Sequence, residues 1–264
     1  MASAPADPNE AHAEAVADAK RLMRLARTGA LATLESSGGD PLTTLVGVAS
    51  DFDGAPLFLM STLSRHTRNL AHDPRASLLL TGARDRGDPL NHPRVTLGGW
   101  VELDPAGRAK SRYLQRNRKA VLYAGFADFG MFRLHIESVH FNGGFGRAGA
   151  LTPADVLASR IGEAALTEAE ARLIAEVNAL DEAALARLAG HKVSPRVLKP
   201  GGWRAIGLDS EGLDLAVGGR AARVQFSAPA DDPATWRARL EELLAGGSEL
   251  DAPVRSGWRP NKPK

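Results

Sequence analysis

The stretch from Gly29 to Ser61, GALATLESSGGDPLTTLVGVASDFDGAPLFLMS, decides the fold. Gly29–Glu35 (GALATLE) alternates like a strand, and Ser37-Gly38-Gly39-Asp40 is a hairpin turn. Pro41–Ser50 (PLTTLVGVAS) is the return strand, Asp53-Gly54 a second turn, and Ala55–Ser61 (APLFLMS) a third strand. Upstream, Glu10–Arg27 carries Val16, Leu22, Met23 and Leu25 on one helical stripe, and Gly29 ends that helix. Residues 1–9 are small, polar and Pro-containing and read as a disordered leader.

Downstream the same grammar continues. A short helix spans Ser64 to His72, Ala76–Ala83 is a strand, and a polar loop runs through Pro93. Arg94–Leu103 is a strand with Val95, Leu97, Val101 and Leu103 on one face. Asp104-Pro105 starts a helix running to about Lys119, and Phe129–Phe141 is the last strand of this half. Six strands with only short inserted helices predict an antiparallel barrel, because a doubly wound sheet needs long crossover helices. After the Gly143–Gly149 run, composition shifts to Ala, Glu and Leu, which puts a domain boundary near 150. The second part reads as helices Thr152–Arg160 and Thr167–Leu188, strands Trp203–Leu208, Leu213–Val217 and Ala221–Phe226, and helix Pro233–Leu244. The fold class is therefore α+β: a barrel over 10–150, a small α+β domain over 151–246, and a polar tail over 247–264.

Composition narrows the chemistry. The chain has 264 residues and no Cys, which excludes disulfides, Fe–S clusters, thiolate-ligated haem and a Cys nucleophile. Basic and acidic residues nearly balance at 33 and 31, so no general polyelectrolyte role is implied. No signal peptide and no apolar run of membrane-spanning length is visible, and a cytoplasmic protein is the expectation. The helix bearing Arg108, Lys110, Arg112, Arg116, Arg118 and Lys119 is a basic stretch for which solvated helix and nucleic-acid surface are both readings; the solvated helix is favoured. No hydrolase elbow or Walker lysine motif occurs. His135 and His140 stand five apart on one strand, which in a regular strand places them on opposite faces; no metal site is expected.

The richest segment is Ser61-Thr62-Leu63-Ser64-Arg65-His66-Thr67-Arg68-Asn69-Leu70. Hydroxyls, two Arg and a His meet at a helix start with unpaired amides, which reads either as a capped basic helix or as a phosphate site.

STLSRHTRNLAHDPRASLLL, with GALATL before it and RVTLGGWVEL, DFGMFRLHIESVHFNGGFGRA after it, resembles the FMN-binding split-barrel superfamily of pyridoxamine 5'-phosphate oxidase-like proteins. Closer still, it resembles the haem-utilisation (HugZ-type) branch with a C-terminal α+β domain. The resemblance implies a homodimer of split β-barrels with a cofactor groove at the dimer interface. It implies that Ser64 and Arg65 hold a flavin phosphate, with His66 where the oxidases have Lys, Met60 and Ser61 approaching the flavin, and Arg94 a further contact. The oxidases' Arg and Lys on the preceding strand correspond to Thr44 and Ala49 here, so two phosphate partners are missing. Haem is the alternative ligand of the branch. Relatives ligate iron from a C-terminal tail and carry a His-rich motif, whereas Ser256–Lys264 has no His and the motif position reads Glu176-Val177-Asn178-Ala179-Leu180-Asp181. If haem binds, His66 or His12 would be the substitute candidates for iron ligation. The expected function is an FMN-binding oxidoreductase-like protein, with a haem-binding or haem-degrading protein without flavin, and a non-catalytic dimeric adaptor, as the alternatives. A membrane partner is not expected.

Overall fold

The computed structural model describes residues 8–82, 88–104, 107–144, 148–190, 202–218 and 220–245. Residues 1–7 of the expected leader 1–9, and the residues after 245, lie outside them. Two compact units divide at Glu163/Ala164.

The first unit is a curled antiparallel sheet with helices on it, as the alternating strands predict. Helix α1 (Pro8–Leu25) begins two residues before the expected Glu10, with proline at its first position. Its buried stripe is Ala19, Leu22 and Met23, while Leu25 stays half-buried. These side chains enter the barrel core with Leu31, Phe58, Leu78, Leu80, Val95, Leu97, Leu134 and Phe141. Each such fully buried side chain is worth roughly 1.5–3 kcal/mol.

Strand β1 (Thr28–Leu34) pairs with β2 (Pro41–Gly47) and with β5 (Arg75–Thr81). The expected return strand 41–50 is interrupted at Val48, whose amide bonds to Arg27 O at 2.9 Å. Beyond it, β3 (Ala49–Ser50) pairs with β4 (Pro56–Ser61) at the other end of the sheet. With β6 (Arg94–Leu103) and β7 (Phe129–Asn142) the strand order is β2-β1-β5-β6-β7-β4-β3, so one continuous segment supplies both edges and pulls the sheet into a half-barrel. Gly47 sits at this crossing because a Cβ there would collide with the Tyr113 hydroxyl of α3 (Gly107–Arg116). Burial pushes that phenol up to about 12, with a nearby Tyr123 contributing.

Strands β6 (Arg94–Leu103) and β7 (Phe129–Asn142) pair along their length. The register slips at Gly98/Gly99, leaving Glu137 as an extra residue on β7. Gly99 permits the bulge, because a Cβ there would strike the His135 carbonyl. Strand β8 (Ala148–Leu151) adds to β7 beyond the expected six. The expected helix 152–160 is a single turn, α4 (Pro153–Val156), closed by a Thr152/Asp155 capping box. Val156 enters the barrel core and the Ala158 amide bonds to Asp53 O at 2.8 Å. These contacts keep residues 150–163 with the barrel and place the division of units after the compositional shift near 150.

The second unit carries α5 (Glu163–Asn178), α6 (Glu182–Leu188), β9 (Arg204–Asp209), β10 (Gly212–Val217), β11 (Arg220–Gln225) and α7 (Pro233–Ala245). The expected helix 167–188 breaks where Asp181 accepts the Ala184 amide at 2.7 Å as an N-cap. The three strands form an antiparallel meander. Arg223 grips Asp209 with two bonds of 2.7 Å, and Trp236 Nε1 donates to Asp209 O at 3.1 Å. Among the described residues no helix is long and apolar enough to cross a membrane.

Candidate functional site

The site is built at the start of α2 (Arg65–His72), which lies against β1 and β2. Ser61 ends β4. Its hydroxyl donates to Asp128 Oδ2 at 2.5 Å and accepts the Leu63 amide at 3.1 Å. The Thr62 amide donates to Asp128 O at 2.7 Å, and the Ser64 amide to Ser61 O at 3.0 Å. These bonds fix the turn that delivers the helix. Ser64 is the N-cap in extended backbone and makes no side-chain cap bond, so no capping side chain closes this end of positive partial charge.

Arg65 Nη2 donates to Glu35 Oε2 at 2.6 Å. The carboxylate is only 17% exposed, the guanidinium side chain 62%. Strand alternation puts Glu35 on the face of Leu31 and Thr33, the face α2 covers. There Asn69 Nδ2 donates to Thr33 Oγ1 at 3.1 Å, both side chains buried. His66 Nδ1 lies 3.1 Å from Thr44 Oγ1 on β2. Burial holds the half-buried imidazole below its ordinary 6.5, so it is neutral at pH 7. Among the described residues Nε2 has no hydrogen-bond partner.

The expected site residues are thus only partly brought together. Ser61, Ser64, Arg65 and His66 converge. Met60 is 3% exposed and belongs to the barrel core. Arg94 lies elsewhere: it pairs with Asn142 at one end of β7, whereas Ser61 pairs with Phe129 at the other. That separation is on the order of 40 Å along the strand. Arg94 Nη1 donates to the Leu90 carbonyl at 2.8 Å.

A flavin phosphate fits this donor set poorly. It carries nearly two negative charges. Arg65 is already paired with Glu35, His66 is neutral, the Ser61 hydroxyl is committed to Asp128, and Thr44 beside His66 carries no charge. The partners Glu35 and Asp128 escaped the sequence reading, which met Thr44 only through the family resemblance. Period-2 alternation from Leu31 was the signal that could have found Glu35.

A second polar cluster is internal. The turn read as Asp53-Gly54 buries Asp51 and Asp53, each 4% exposed, and Phe52 completely. Arg133 pairs with Asp51 and, at 2.6 Å, with Asp53; Arg160 Nη1 reaches Asp53 at 2.7 Å. Arg24 donates to the carbonyls of Asp51 and Phe52 at 2.8 and 2.9 Å. Burial alone would raise the Asp53 carboxyl, but Arg133 and Arg160 outweigh it and hold it below 3.8.

Other candidate residues also have structural partners. The bulge returns His135 and His140 to one face, since their partners Trp100 and Thr96 are four apart on regular β6. Facing alone therefore does not separate them; about 13 Å of strand does. His135 stacks on Trp100 at 3.8 Å and bonds Glu102 at 2.9 Å. His12 Nε2 lies 3.7 Å from Asp155. In the basic helix, Arg112 lies over the Phe52 ring and Arg116 donates to the Leu25 carbonyl, both buried. In the second unit Glu176 pairs with Arg237, Asn178 bonds the Ala205 backbone and Asp181 caps α6, so this stretch does structural work.

Residues 10–157 match the family model described as CREG, beta-barrel. A solved protein of unknown function, Atu2129 from Agrobacterium tumefaciens, superposes with a TM-score of 0.75 at 32% identity over 91% of this chain and 100% of that one. A heme binding protein from Mycobacterium smegmatis superposes with a TM-score of 0.51 at 31% identity, covering 88% of this chain and 96% of that one. The non-canonical heme oxygenase HOZ of Arabidopsis thaliana chloroplasts is 35% identical over 114 residues, 42% of this chain, which spans only 34% of that protein. With more than half its length matched to that model and two full-length structural relatives above 30% identity, the chain belongs to the CREG β-barrel family of split barrels.

Proposed function

We propose that this protein binds haem, with His66 Nε2 as the iron ligand, and that it works as a dimer. The observation that carries the reading is the state of His66. A metal-ligating imidazole is neutral, with its second nitrogen held by a hydrogen-bond partner that fixes the tautomer. His66 is held neutral by burial, its Nδ1 faces the Thr44 hydroxyl, and Nε2 carries no competing bond among the described residues. His12 is the weaker substitute, because Asp155 engages its Nε2. The haem-binding relative that matches this chain over most of its length supports the same ligand. Bound haem would supply iron redox chemistry; the protein's own part is to orient the ligand through Thr44 and to shelter it against β1 and β2.

The dimer reading rests on the outer face of the sheet. Leu45, Ala30 and Leu79 are register partners across β2, β1 and β5, and Leu45 is 76% exposed. An apolar row across three strands is the kind of surface a partner covers, and a second copy is the occupant proposed.

Haemin titration followed at the Soret band tests the ligand. Wild type and His12→Ala develop the same band. His66→Ala loses it, and Thr44→Val weakens binding by about 10–100-fold. An unchanged band in His66→Ala overturns the assignment.

A further inference from the structure

We infer that Glu35 is a specificity residue: its carboxylate takes the place of a phosphate group at the start of α2 and excludes phosphate-bearing cofactors from it. Four side chains present polar groups there, and three are committed inward. Arg65 donates to Glu35, the Ser61 hydroxyl donates to Asp128, and the His66 ring meets Thr44. Only the Ser64 hydroxyl makes no cap bond.

The two acceptors are carboxylates. Glu35 is mostly covered while Arg65 is mostly exposed, so the carboxylate is the fixed member of the pair and the guanidinium folds onto it. An incoming phosphate dianion needs the fork that Arg65 offers. It would have to displace Glu35 from that fork and leave a mostly covered carboxylate without its cation, with a second anion at Asp128. Both consequences oppose binding, the first because a covered charge without its partner is costly. Exposed Arg68, on the next turn, remains as the other cation at this end. The carboxylate therefore satisfies Arg65, the cation at the first position of α2, internally. A ligand without phosphate meets no such barrier, and the inference stands whether or not haem is that ligand.

The test compares the full-length protein with Glu35→Gln and Glu35→Ala, using riboflavin, FMN and inorganic phosphate as probes. Flavin affinity is read by fluorescence quenching and phosphate binding by the shift in melting temperature. Wild type binds FMN no tighter than riboflavin and gains no stabilisation from phosphate. Both variants gain FMN affinity by about tenfold or more, as expected for one freed charge-assisted bond, with riboflavin affinity unchanged. Adding Arg65→Ala to either variant abolishes the gain. A wild type that prefers FMN to riboflavin overturns the inference. So do variants that gain neither FMN nor phosphate binding. The haemin titration of His66→Ala is independent, so failure of one reading is distinguishable from failure of the other.

Discussion

Replacing Asp53 by Asn removes one charge from the buried cluster while keeping the side chain's shape. Its Oδ2 accepts from Arg133 at 2.6 Å and from Arg160 at 2.7 Å, and its Oδ1 accepts the Ala55 amide at 3.1 Å. The Arg133 side chain is 15% exposed, so its pair counts as buried; breaking such a pair costs about 3–5 kcal/mol. Asn keeps an acceptor for the Ala55 amide, and Asp51 still faces Arg133, which lowers the figure. The Arg160 side chain is 45% exposed, so its pair is screened and adds at most about 1 kcal/mol. The expected loss is about 2–4 kcal/mol. At about 2–4 °C per kcal/mol, the melting temperature of the barrel falls by about 4–16 °C. Scanning calorimetry reads this directly, with Arg160→Ala as a control expected to cost at most about 1 kcal/mol. The sign with pH follows from the held-down carboxyl: the stabilisation is present above 3.8 and is lost as pH falls through the lower folded value. A wild-type-like Asp53→Asn, within about 0.5 kcal/mol, would refute the view that this cluster fastens β7 and residues 158–163 to the turn.

Three other outcomes follow from the same geometry. Gly99→Ala should cost about 1–3 kcal/mol in urea unfolding, since the added methyl meets the His135 carbonyl, whereas Gly125→Ala meets nothing within 4 Å and should be neutral or slightly stabilising. The depressed His66 makes stability full above 6.5 and lost as pH falls through 6.5 toward the folded value; His66→Ala should flatten that part of the pH–stability curve. Leu45→Arg puts a charge into the exposed apolar row, and sedimentation should show a monomer whose melting temperature no longer depends on protein concentration if a second copy covers that face in the wild type.

The barrel was legible because period-2 alternation survives in β1, β5 and β6 without help from distant residues, and β4 is a short apolar run buried on both faces. The breaks were not. Pro41–Ser50 reads as one apolar strand, and its interruption at Val48 arises from curling, which hands the segment from one sheet edge to the other. The β7 bulge left its trace only on the facing strand, in Gly98-Gly99, where a close backbone approach replaces a side chain. Asp51 and Asp53 look like solvent-facing turn residues, and only α1, β7 and residue 160 converging on them reveals a buried cluster. At the site, Ser61, Ser64, Arg65 and His66 were found together because they are contiguous in sequence. Glu35, Thr44 and Asp128 reach them through pairing and packing, and they change the chemistry from an open cation site to a self-satisfied one. Arg94 entered by resemblance, and the strand order sets it at the far end of β7.

The most direct measurement is the absorption spectrum of the purified full-length protein after incubation with haemin or with FMN and removal of free ligand. The account predicts a retained Soret band with haemin, absent in His66→Ala, and no retained flavin bands. A protein that keeps FMN and releases haemin would contradict it.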